Sequence, residues 1–563
     1  MTALLAPEQL TAPPADRRNR LVVEGLEVAF DTSRGRRQVV HGVSFELPAG
    51  ECVAIVGESG SGKSVTARTL VGLAGRGAVV RADRLEIHGR DVRTSGQREW
   101  QRIRGVEVGF ILQDALVSLD PLRAVGREIE EALSLHGVRG RPERRRRAVE
   151  LLARAGVPFA ERRARQRPDE LSGGLRQRAL IASALAIDPD IVIADEPTTA
   201  LDVTVQAQVL DLLHETKGRG ASIILISHDL SVVADLADRI LVMKDGSVVE
   251  QGAARDVLGA PRHPYTRALI AAVPGLDTRG APLVPGAALL PPRTDPGTGG
   301  AVPVLEARDL AKRFRTPDGA ETVAADGVSF TLHRGETLGI VGESGSGKST
   351  TARIALALES ADAGTVRLLG QPWSEVPEPR RRSLRRAISV VSQDPLSSFD
   401  PRWNTERILL DALPADRYRS TAERAGRVRE LLAQVGLDES ALGRFPLRLS
   451  GGQRQRVAIA RALAPSPEII VLDEAVSALD VTIQAQVLDL LARLQRELGV
   501  AYLFISHDLG VIAHLSDRVL VMKDGRVVET GTPAELFTAP RHPYTQELIA
   551  SIPRFEPADV PAA

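Results

Sequence analysis

Short runs of apolar, mainly β-branched residues alternate along the chain with segments whose composition suits helices. Such runs lie at Val53–Val56, Leu338–Val341, Ile191–Ala194, Ser222–Ile226 and Ile240–Met243. Unbroken apolar runs of this length are typical of strands that are buried on both faces of a parallel sheet. The pattern therefore predicts a largely parallel α/β core.

Two Arg-rich segments of helical composition, Pro142–Ala155 and Ser420–Val435, stand between these runs. We interpret them as parts of a helical subdomain that occurs twice. The simpler alternative is a pair of charged helices whose only role is to face water, and the two interpretations are compatible.

Several short motifs occur twice in the same order. GESGSGKS stands at 57–64 and 342–349, LSGG at 171–174 and 449–452, ISHDL at 226–230 and 505–509, and PRHPYT at 261–266 and 540–545. The copies are about 280 residues apart, a period too long for a solenoid. The chain is therefore predicted to be a tandem duplication of one domain.

Each GESGSGKS motif lies between an apolar run and a helix-compatible run, which is the context that a phosphate-binding loop requires. Gly57, Gly60 and Gly62 allow the backbone to curl until several N–H groups meet at one anion. Lys63 would then contact the β- and γ-phosphates, and the Ser64 hydroxyl is placed for Mg²⁺. The second copy repeats these residues as Gly342, Gly345, Gly347, Lys348 and Ser349.

Composition excludes several classes of protein. The 72 basic and 72 acidic residues balance, which argues against an extended nucleic-acid surface. Cys52 is the only cysteine, so an intrachain disulfide and a multi-cysteine metal site are excluded, as suits a reducing cytosol. No run of roughly 18 apolar residues is present, and the N-terminus lacks the apolar core of a signal peptide.

Pro- and Gly-rich composition at 274–303 predicts a flexible linker between the two copies. The predicted domains are a disordered N-terminal tail (1–20), a first nucleotide-binding domain (21–260), an HPYT segment with the linker (261–303), a second nucleotide-binding domain (304–539), and a second HPYT segment with the C-terminal tail (540–563).

The ordered motifs resemble those of the ATP-binding cassette (ABC) ATPases over nearly the whole chain. GESGSGKS resembles Walker A, LSGG the family signature, and IVIADE and IIVLDE resemble Walker B. Glutamines 113 and 393 resemble the Q-loop, aspartates 202 and 480 the D-loop, and histidines 228 and 507 the switch histidine. The resemblance implies an α/β fold with tandem ABC-type P-loop NTPase domains, each with a RecA-like α/β core, an antiparallel β subdomain and a helical signature subdomain.

In this family two domains close head to tail, and each ATP lies between the Walker A loop of one domain and the signature of the other. The implied nucleotide-binding residues of the loops are Gly57, Ser59, Gly60, Gly62, Lys63, Ser64 and Val65, and Gly342, Ser344, Gly345, Gly347, Lys348, Ser349 and Thr350. Those of the signatures are Ser172, Gly173, Gly174, Ser450, Gly451 and Gly452. Phe30 and Phe314 are expected to stack on adenine, with packing in the core as the alternative.

The resemblance also implies catalytic and metal-binding roles. Glu196 and Glu474 are expected to be general bases for the attacking water, with His228 and His507 donating to the γ-phosphate. The expected Mg²⁺ site comprises Ser64, Gln113 and Asp195 in one half and Ser349, Gln393 and Asp473 in the other. Gln113 and Gln393 are also expected to act in catalysis. The simpler alternatives are a solvated turn for each Asp-Glu pair and a packed core residue for each histidine.

Accessory segments resemble one subfamily, the importers of oligopeptides, dipeptides and nickel. QDALVSLDP at 113–121, QDPLSSFDP at 393–401 and the two HPYT segments carry this resemblance. It implies an ATPase at the cytoplasmic face of the membrane, whose partners are two transmembrane permease subunits and an extracytoplasmic solute-binding protein. Nucleic acid is not expected as a partner. Many relatives have a cysteine cluster that binds an iron–sulfur centre after HPYT, but no cysteine follows either HPYT here, so no such cluster is expected. Ala475 stands where the family usually has a proline, directly after the catalytic glutamate Glu474.

The main alternative is a twin-cassette ABC ATPase that acts on ribosomes. Such proteins usually have a long, charged helical linker, whereas the linker here is rich in proline and nearly uncharged. We therefore expect an ATP-hydrolysing subunit of an importer for peptides or related small solutes.

Overall fold

The computed structural model describes residues 19–32, 35–113, 118–199, 201–287, 303–315, 321–477 and 479–551. The strands of the first half are β1 (Asn19–Thr32), β2 (Gly35–Pro48), β3 (Cys52–Val56), β4 (Ala78–Arg81), β5 (Arg84–Ile87), β6 (Arg90–Asp91), β7 (Val108–Ile111), β8 (Ile191–Asp195), β9 (Ser222–Ile226), β10 (Arg239–Lys244) and β11 (Ser247–Ala253). The strands of the second half are β12 (Leu305–Arg315), β13 (Glu321–Leu332), β14 (Thr337–Val341), β15 (Ala363–Leu368), β16 (Gln371–Pro372), β17 (Ile388–Val391), β18 (Ile469–Asp473), β19 (Ala501–Ile505), β20 (Arg518–Lys523) and β21 (Arg526–Gly531).

The helices follow the same repeat. In the first half they are α1 (Lys63–Thr69), α2 (Gln97–Ile103), α3 (Val125–Leu135), α4 (Arg141–Arg154), α5 (Ala160–Arg163), α6 (Gly173–Ala184), α7 (Val203–Gly218), α8 (Leu230–Leu236), α9 (Ala254–Gly259) and α10 (Pro264–Ala271). In the second half they are α11 (Lys348–Ala355), α12 (Glu378–Arg381), α13 (Thr405–Ala412), α14 (Thr421–Gln434), α15 (Gly451–Leu463), α16 (Val481–Leu498), α17 (Leu509–Leu515), α18 (Pro533–Thr538) and α19 (Pro543–Ala550).

A six-stranded sheet forms the core of each half, in the order β11-β10-β3-β9-β8-β7 and, in reverse direction, β17-β18-β19-β14-β20-β21. All neighbours pair in parallel except β10 with β11 and β20 with β21. Strands β3 and β9 are buried at every residue, which explains the unbroken apolar sequence of β3 and of 223–226 in β9. The predicted parallel core is confirmed.

An antiparallel sheet packs beside each core sheet. Its order is β2-β1-β5-β6 with β4 on β1 in the first half, and β13-β12-β15-β16 in the second. Apolar side chains of this sheet, the core sheet and the helix after the glycine loop share one buried cluster in each half. This packing fixes the loop between the two sheets.

The two Arg-rich segments are helical, as predicted, and form α4 and α14. Helix α4 buries Ala148, Leu151 and Leu152, while Arg146 pairs with Glu143 on the exposed face. Each of the two helices packs on the helix that begins at the LSGG motif, α6 or α15. The charged faces and the packed faces therefore belong to the same helices.

The prediction of a flexible linker over 274–303 is wrong for its first part. We call residues 275–287 the strap, because they lie against α16 and α17 of the second half. The amides of Leu283 and Val284 both donate to the Asp489 carboxylate at 2.9 Å, and Leu283 is buried. A carboxylate that accepts two backbone N–H groups holds an otherwise irregular segment in place. Residues 288–302 of the predicted linker lie outside the described residues.

The predicted N-terminal tail lies outside the described residues up to position 18, and β1 begins at Asn19. The C-terminal residues 552–563 are likewise outside them. Within the described ranges, every helix is too short or too polar to cross a bilayer.

Candidate nucleotide site

The glycine loops join β3 to α1 and β14 to α11. The three glycines of each loop have positive φ angles, which favour glycine: 146°, 84° and 97° at Gly57, Gly60 and Gly62, and 150°, 86° and 99° at Gly342, Gly345 and Gly347. A Cβ at Gly57 would lie 2.1 Å from the Met243 carbonyl oxygen. The predicted loop geometry is therefore present in both halves, with Ser59 and Ser344 exposed at the crests.

The loop lysines are buried and turned toward their own loops. Lys63 Nζ donates to the carbonyl oxygens of Gly57 at 2.7 Å and Glu58 at 2.8 Å. Burial lowers the pKa of Lys63, against the attraction of Glu196 and of Asp480 from the other half. Both loops thus hold a preoriented ammonium group, since Lys348 makes the equivalent bonds to Gly342 and Glu343 at 2.7 Å each.

Hydroxyl and carboxylate groups adjoin each lysine. Ser64 Oγ donates to Asp195 Oδ1 at 2.9 Å, and Ser349 Oγ to Asp473 Oδ1 at 3.3 Å. Burial raises the pKa of Asp195, and its Oδ2 is buried without a hydrogen-bond partner among the described residues. An unpartnered carboxylate oxygen beside a serine hydroxyl fits a hydrated Mg²⁺. The following helix residues, Val65 and Thr350, are half-buried.

Glu196 collects the remaining catalytic candidates of the first half. Gln113 Nε2 donates to Glu196 Oε2 at 2.9 Å, and His228 Nδ1 lies 3.5 Å from Oε1. Burial disfavours ionisation, but the hydrogen bond and charge of His228 hold the pKa of Glu196 below its ordinary value. Glu196 raises the pKa of His228 in turn, against the effect of burial. Each group therefore favours the ionised form of the other.

The second half repeats this arrangement around Glu474. Gln393 Nε2 donates to Glu474 Oε2 at 2.6 Å, and His507 Nδ1 lies 3.5 Å from Oε1. The hydrogen bond from His507 lowers the pKa of Glu474, against burial. Both glutamates have positive φ angles, 51° at Glu196 and 50° at Glu474. Backbone strain of this kind is commonly found where a functional side chain must be aimed.

The two halves meet at these loops. Asp202 Oδ2 of the first half accepts a hydrogen bond from the Ser344 amide of the second at 3.4 Å. Thr204 Oγ1 donates to Glu343 Oε1 across the same boundary at 2.8 Å. In the other direction, Asp480 acts electrostatically on Lys63. Asp202 therefore lies at the glycine loop of the opposite half, and Asp480 lies close enough to the other loop to act on the charge of Lys63.

The signature residues begin helices, and their place against the opposite nucleotide stays a prediction. Ser172 Oγ accepts from the Leu175 amide at 3.4 Å, and Ser450 Oγ from the Gln453 amide at 3.2 Å, so both serines are helix N-caps. The glycines of both signatures, Gly173, Gly174, Gly451 and Gly452, form the first turns of α6 and α15.

The two candidate adenine-stacking rings differ in their surroundings. Phe30 is half-buried and packs against the apolar cluster of the first half. Phe314 is 41% exposed, and the Lys312 ammonium lies 5.4 Å from its ring centroid. Stacking on adenine remains a prediction for both, with core packing favoured by these contacts for Phe30.

Sequence reasoning missed Thr204 and the two HPYT tyrosines, Tyr265 and Tyr544, as residues that contact the glycine loops. Tyr265 and Tyr544 accept hydrogen bonds from the amides of Glu58 and Glu343. The repetition of HPYT was the available signal, but a repeat alone does not show what its tyrosine touches.

Comparisons with known proteins find relatives over nearly the whole chain. The family described as "ABC transporter" matches residues 40–199 and 325–477, and "Oligopeptide/dipeptide transporter, C-terminal region" matches 249–299 and 528–561. Glutathione import ATP-binding protein GsiA of Escherichia coli K12 is 43% identical over 96% of this chain and 91% of its own length. Oligopeptide transport ATP-binding protein OppD of Mycobacterium bovis is 42% identical over 96% of this chain and 99% of its own.

Among solved structures, the dimeric structure of MJ0796, a bacterial ABC transporter cassette, matches 41% of this chain and 98% of its own at 30% identity and a TM-score of 0.38. The family predicted from the motifs is confirmed by the two matches to its model and by the full-length relatives. This chain belongs to the ABC transporter ATPases, with two cassettes, each followed by the C-terminal region of oligopeptide/dipeptide transporters.

Proposed function

We propose that this chain binds and hydrolyses ATP at two sites to energise an ABC importer for peptides or related small solutes. The observation that carries the proposal is the paired arrangement of glutamine, histidine and strand-end glutamate beside each glycine loop. The peptide importer is supported by the relatives GsiA and OppD and by the oligopeptide/dipeptide transporter region after each cassette. These matches do not favour the ribosome-acting alternative.

The loop residues bind and orient the triphosphate. Backbone N–H groups of the glycine loop converge on its anionic oxygens, and Lys63 or Lys348 adds a compact positive charge. Mg²⁺, when bound with ATP, neutralises charge on the β- and γ-phosphates. The residues that would hold it are Ser64, Gln113 and Asp195 in the first half and Ser349, Gln393 and Asp473 in the second.

Glu196 and Glu474 would orient and deprotonate the attacking water. Each carboxylate is kept ionised by its histidine, so it can accept a proton at neutral pH. Each histidine is biased toward the cationic form and would donate to the γ-phosphate oxygens as negative charge develops there. Signature donors from the opposite half would act on the same phosphoryl group.

Coupling to transport would begin at Gln113 and Gln393. Because each amide contacts its catalytic glutamate, a nucleotide bound beside that glutamate would displace the glutamine and, through the chain, the nearby segment, which is 118–122 in the first half and 394–400 in the second. In the first half this segment ends near Leu122, whose side chain is 78% exposed. We assign this surface to contact with a permease subunit at the cytoplasmic face of the membrane, with an extracytoplasmic protein delivering the solute.

The test is reconstitution of the full chain with its permease pair in proteoliposomes that contain ATP and a labelled peptide. Leu122→Glu should abolish most uptake and permease binding while leaving ATP binding unchanged. Leu358→Glu, at a 63% exposed leucine of the second half, is the matched control and should retain uptake. ATP-dependent association with ribosomes, without association with the permeases, would overturn the proposal.

A further inference from the structure

Each HPYT segment places a tyrosine hydroxyl on the glycine loop of its own half. Tyr265 Oη accepts a hydrogen bond from the Glu58 amide at 2.9 Å. Tyr544 Oη accepts one from the Glu343 amide at 3.0 Å. The sequence separations are about 200 residues, so only the tertiary fold brings these groups together. The same contact forms independently in both halves.

The tyrosine is held from several directions. Tyr265 lies in the first turn of α10, where His263 Nδ1 accepts from its amide at 3.1 Å. The Glu250 carboxylate accepts from the amides of Arg262 and His263 at 2.7 and 3.0 Å. Lys244 Nζ lies 5.0 Å from the Tyr265 ring centroid. The equivalent residues of the second half are Glu529, Arg541, His542, Tyr544 and Lys523.

The amide that Tyr265 binds belongs to the same peptide group as the carbonyl that Lys63 binds. The Gly57 carbonyl and the Glu58 N–H are two ends of one planar peptide group. Lys63 Nζ donates to that carbonyl oxygen at 2.7 Å, while Tyr265 Oη accepts from that N–H at 2.9 Å. One peptide is thus fixed at both ends, and the two bonds polarise each other. The plane between Gly342 and Glu343 is held in the same way.

The Tyr265 hydroxyl opposes rotation of the peptide between Gly57 and Glu58. Gly57 has a φ of 146°, in a region open to glycine, so its backbone tolerates reorientation more readily than that of other residues. Without the acceptor at Glu58 N–H, the peptide could turn its carbonyl away from the Lys63 ammonium. The lysine would then lose a partner that aims it at the phosphates.

We propose that Tyr265 and Tyr544 are positioning residues of the two ATP sites: their hydroxyls fix the peptide that aims Lys63 or Lys348. This rests on the proposed function in so far as the glycine loops bind ATP. The HPYT segment is thereby a structural part of the nucleotide site, and it acts through the loop and the lysine without touching the nucleotide.

The second loop is also tied to the opposite cassette through the same residue. Glu343 is bound by Tyr544 at its backbone and by Thr204 of the first half at its side chain. Asp202 of the first half binds the next amide, that of Ser344. A change in the separation of the halves therefore reaches the peptide plane that Tyr544 fixes.

The experiment compares the wild-type chain with the Tyr265→Phe/Tyr544→Phe variant, which keeps both rings and removes both hydroxyls. Equilibrium binding of MgATP and MgADP, steady-state ATPase kinetics and a denaturation midpoint are measured on the full chain without permeases. Loss of one hydrogen bond per site is expected to raise the Kd for MgATP roughly three- to tenfold. KM should rise by more than kcat falls, because the lysine contacts the phosphates before and during the reaction.

Tyr502→Phe is the matched control. Tyr502 is fully buried and its hydroxyl donates to the Leu491 carbonyl at 3.0 Å, in the core of the second half. This control should lower the denaturation midpoint and leave nucleotide affinity unchanged. If the double variant loses stability like the control but binds MgATP like the wild type, the hydroxyls are structural only and the inference is overturned. A wild-type chain that does not bind MgATP would instead overturn the proposed function.

Discussion

The Asp202 carboxylate of the first half accepts a hydrogen bond from the Ser344 amide of the second, with Oδ2 and N 3.4 Å apart. Asp202 also caps α7 by accepting from the Val205 amide at 2.9 Å. One side chain therefore fixes the start of a helix in one cassette and the crest of the glycine loop in the other. It also contributes to the electrostatic environment of Lys348.

Asp202→Asn should therefore impair hydrolysis at the Lys348 site and spare the Lys63 site. Asparagine preserves the helix cap, but a neutral amide is a weaker partner for the Ser344 N–H than a carboxylate is. We expect turnover at the Lys348 site to fall about tenfold. Trapping of a photoreactive ATP analogue, followed by identification of the labelled loop peptide, measures the two sites separately. Asp480→Asn is the mirror control, and loss at the Lys63 site alone in Asp202→Asn would contradict head-to-tail assembly.

Glu196→Gln/Glu474→Gln should retain ATP binding while turnover falls by roughly two to four orders of magnitude. The amide keeps the size of the side chain but cannot accept the proton of water. Rapid-mix hydrolysis assays and ATP titrations make the measurement, with Glu215→Gln on the exposed face of α7 as the control. ATPase activity near the wild-type level in the double variant would exclude these glutamates as general bases.

Gly57→Ala should abolish MgATP binding at the first site. The added Cβ would lie 2.1 Å from the Met243 carbonyl oxygen, at a φ of 146° that an L-residue rarely adopts. Gly426→Ala is the control, since its Cβ meets no atom within 4 Å in helix α14 and alanine should stabilise that helix by about 0.5–1 kcal/mol. Site-resolved photolabelling and thermal unfolding compare the two variants. Undiminished labelling of the first loop in Gly57→Ala would show that the close approach is relieved elsewhere.

Asp489→Ala should release the strap from the second half. Two backbone N–H groups lose a charged acceptor, which corresponds to about 1.5–3 kcal/mol for each hydrogen bond in the absence of replacement by water. Limited proteolysis within 275–303 should become faster. Asp211→Ala is the control, because Asp211 occupies the equivalent position in α7 and is exposed. Equal cleavage rates in the two variants would mean that Asp489 does not anchor the strap.

His514 should give the strap a pH dependence. Burial lowers the pKa of His514 below the ordinary 6.5, and the charge of Arg279 lowers it further. The charges of Asp489 and Asp277 and the hydrogen bond with Thr278 act in the opposite direction. The folded protein favours the neutral imidazole, so its stabilising contribution is present above about pH 6.5 and is lost as the pH falls through the folded-state pKa. The urea midpoint should therefore drop on acidification by more than it does in His514→Gln. Parallel pH profiles would contradict this assignment.

The apolar pattern determined most of the fold, and the repeated motifs identified the candidate catalytic residues. Strand residues such as Ile191–Ala194 are buried on both faces of the sheet, so their sequence is uniformly apolar and recognisable. The glycine loop is equally readable, because its φ angles admit few residues other than glycine. Glu196 and its partners are named from the family resemblance of their motifs, and they lie together because the carboxyl ends of parallel strands converge at one edge of a sheet.

Only the tertiary structure decided which groups from distant parts of the chain form hydrogen bonds with each other. The composition of 274–303 predicts a flexible linker, yet the Asp489 carboxylate accepts from two of its backbone amides and holds its first part against the second half. The repeat of HPYT did not reveal that Tyr265 binds the Glu58 amide. Local sequence governs local backbone preferences, whereas these contacts depend on the packing of helices against loops about 200 residues away, which no local pattern encodes.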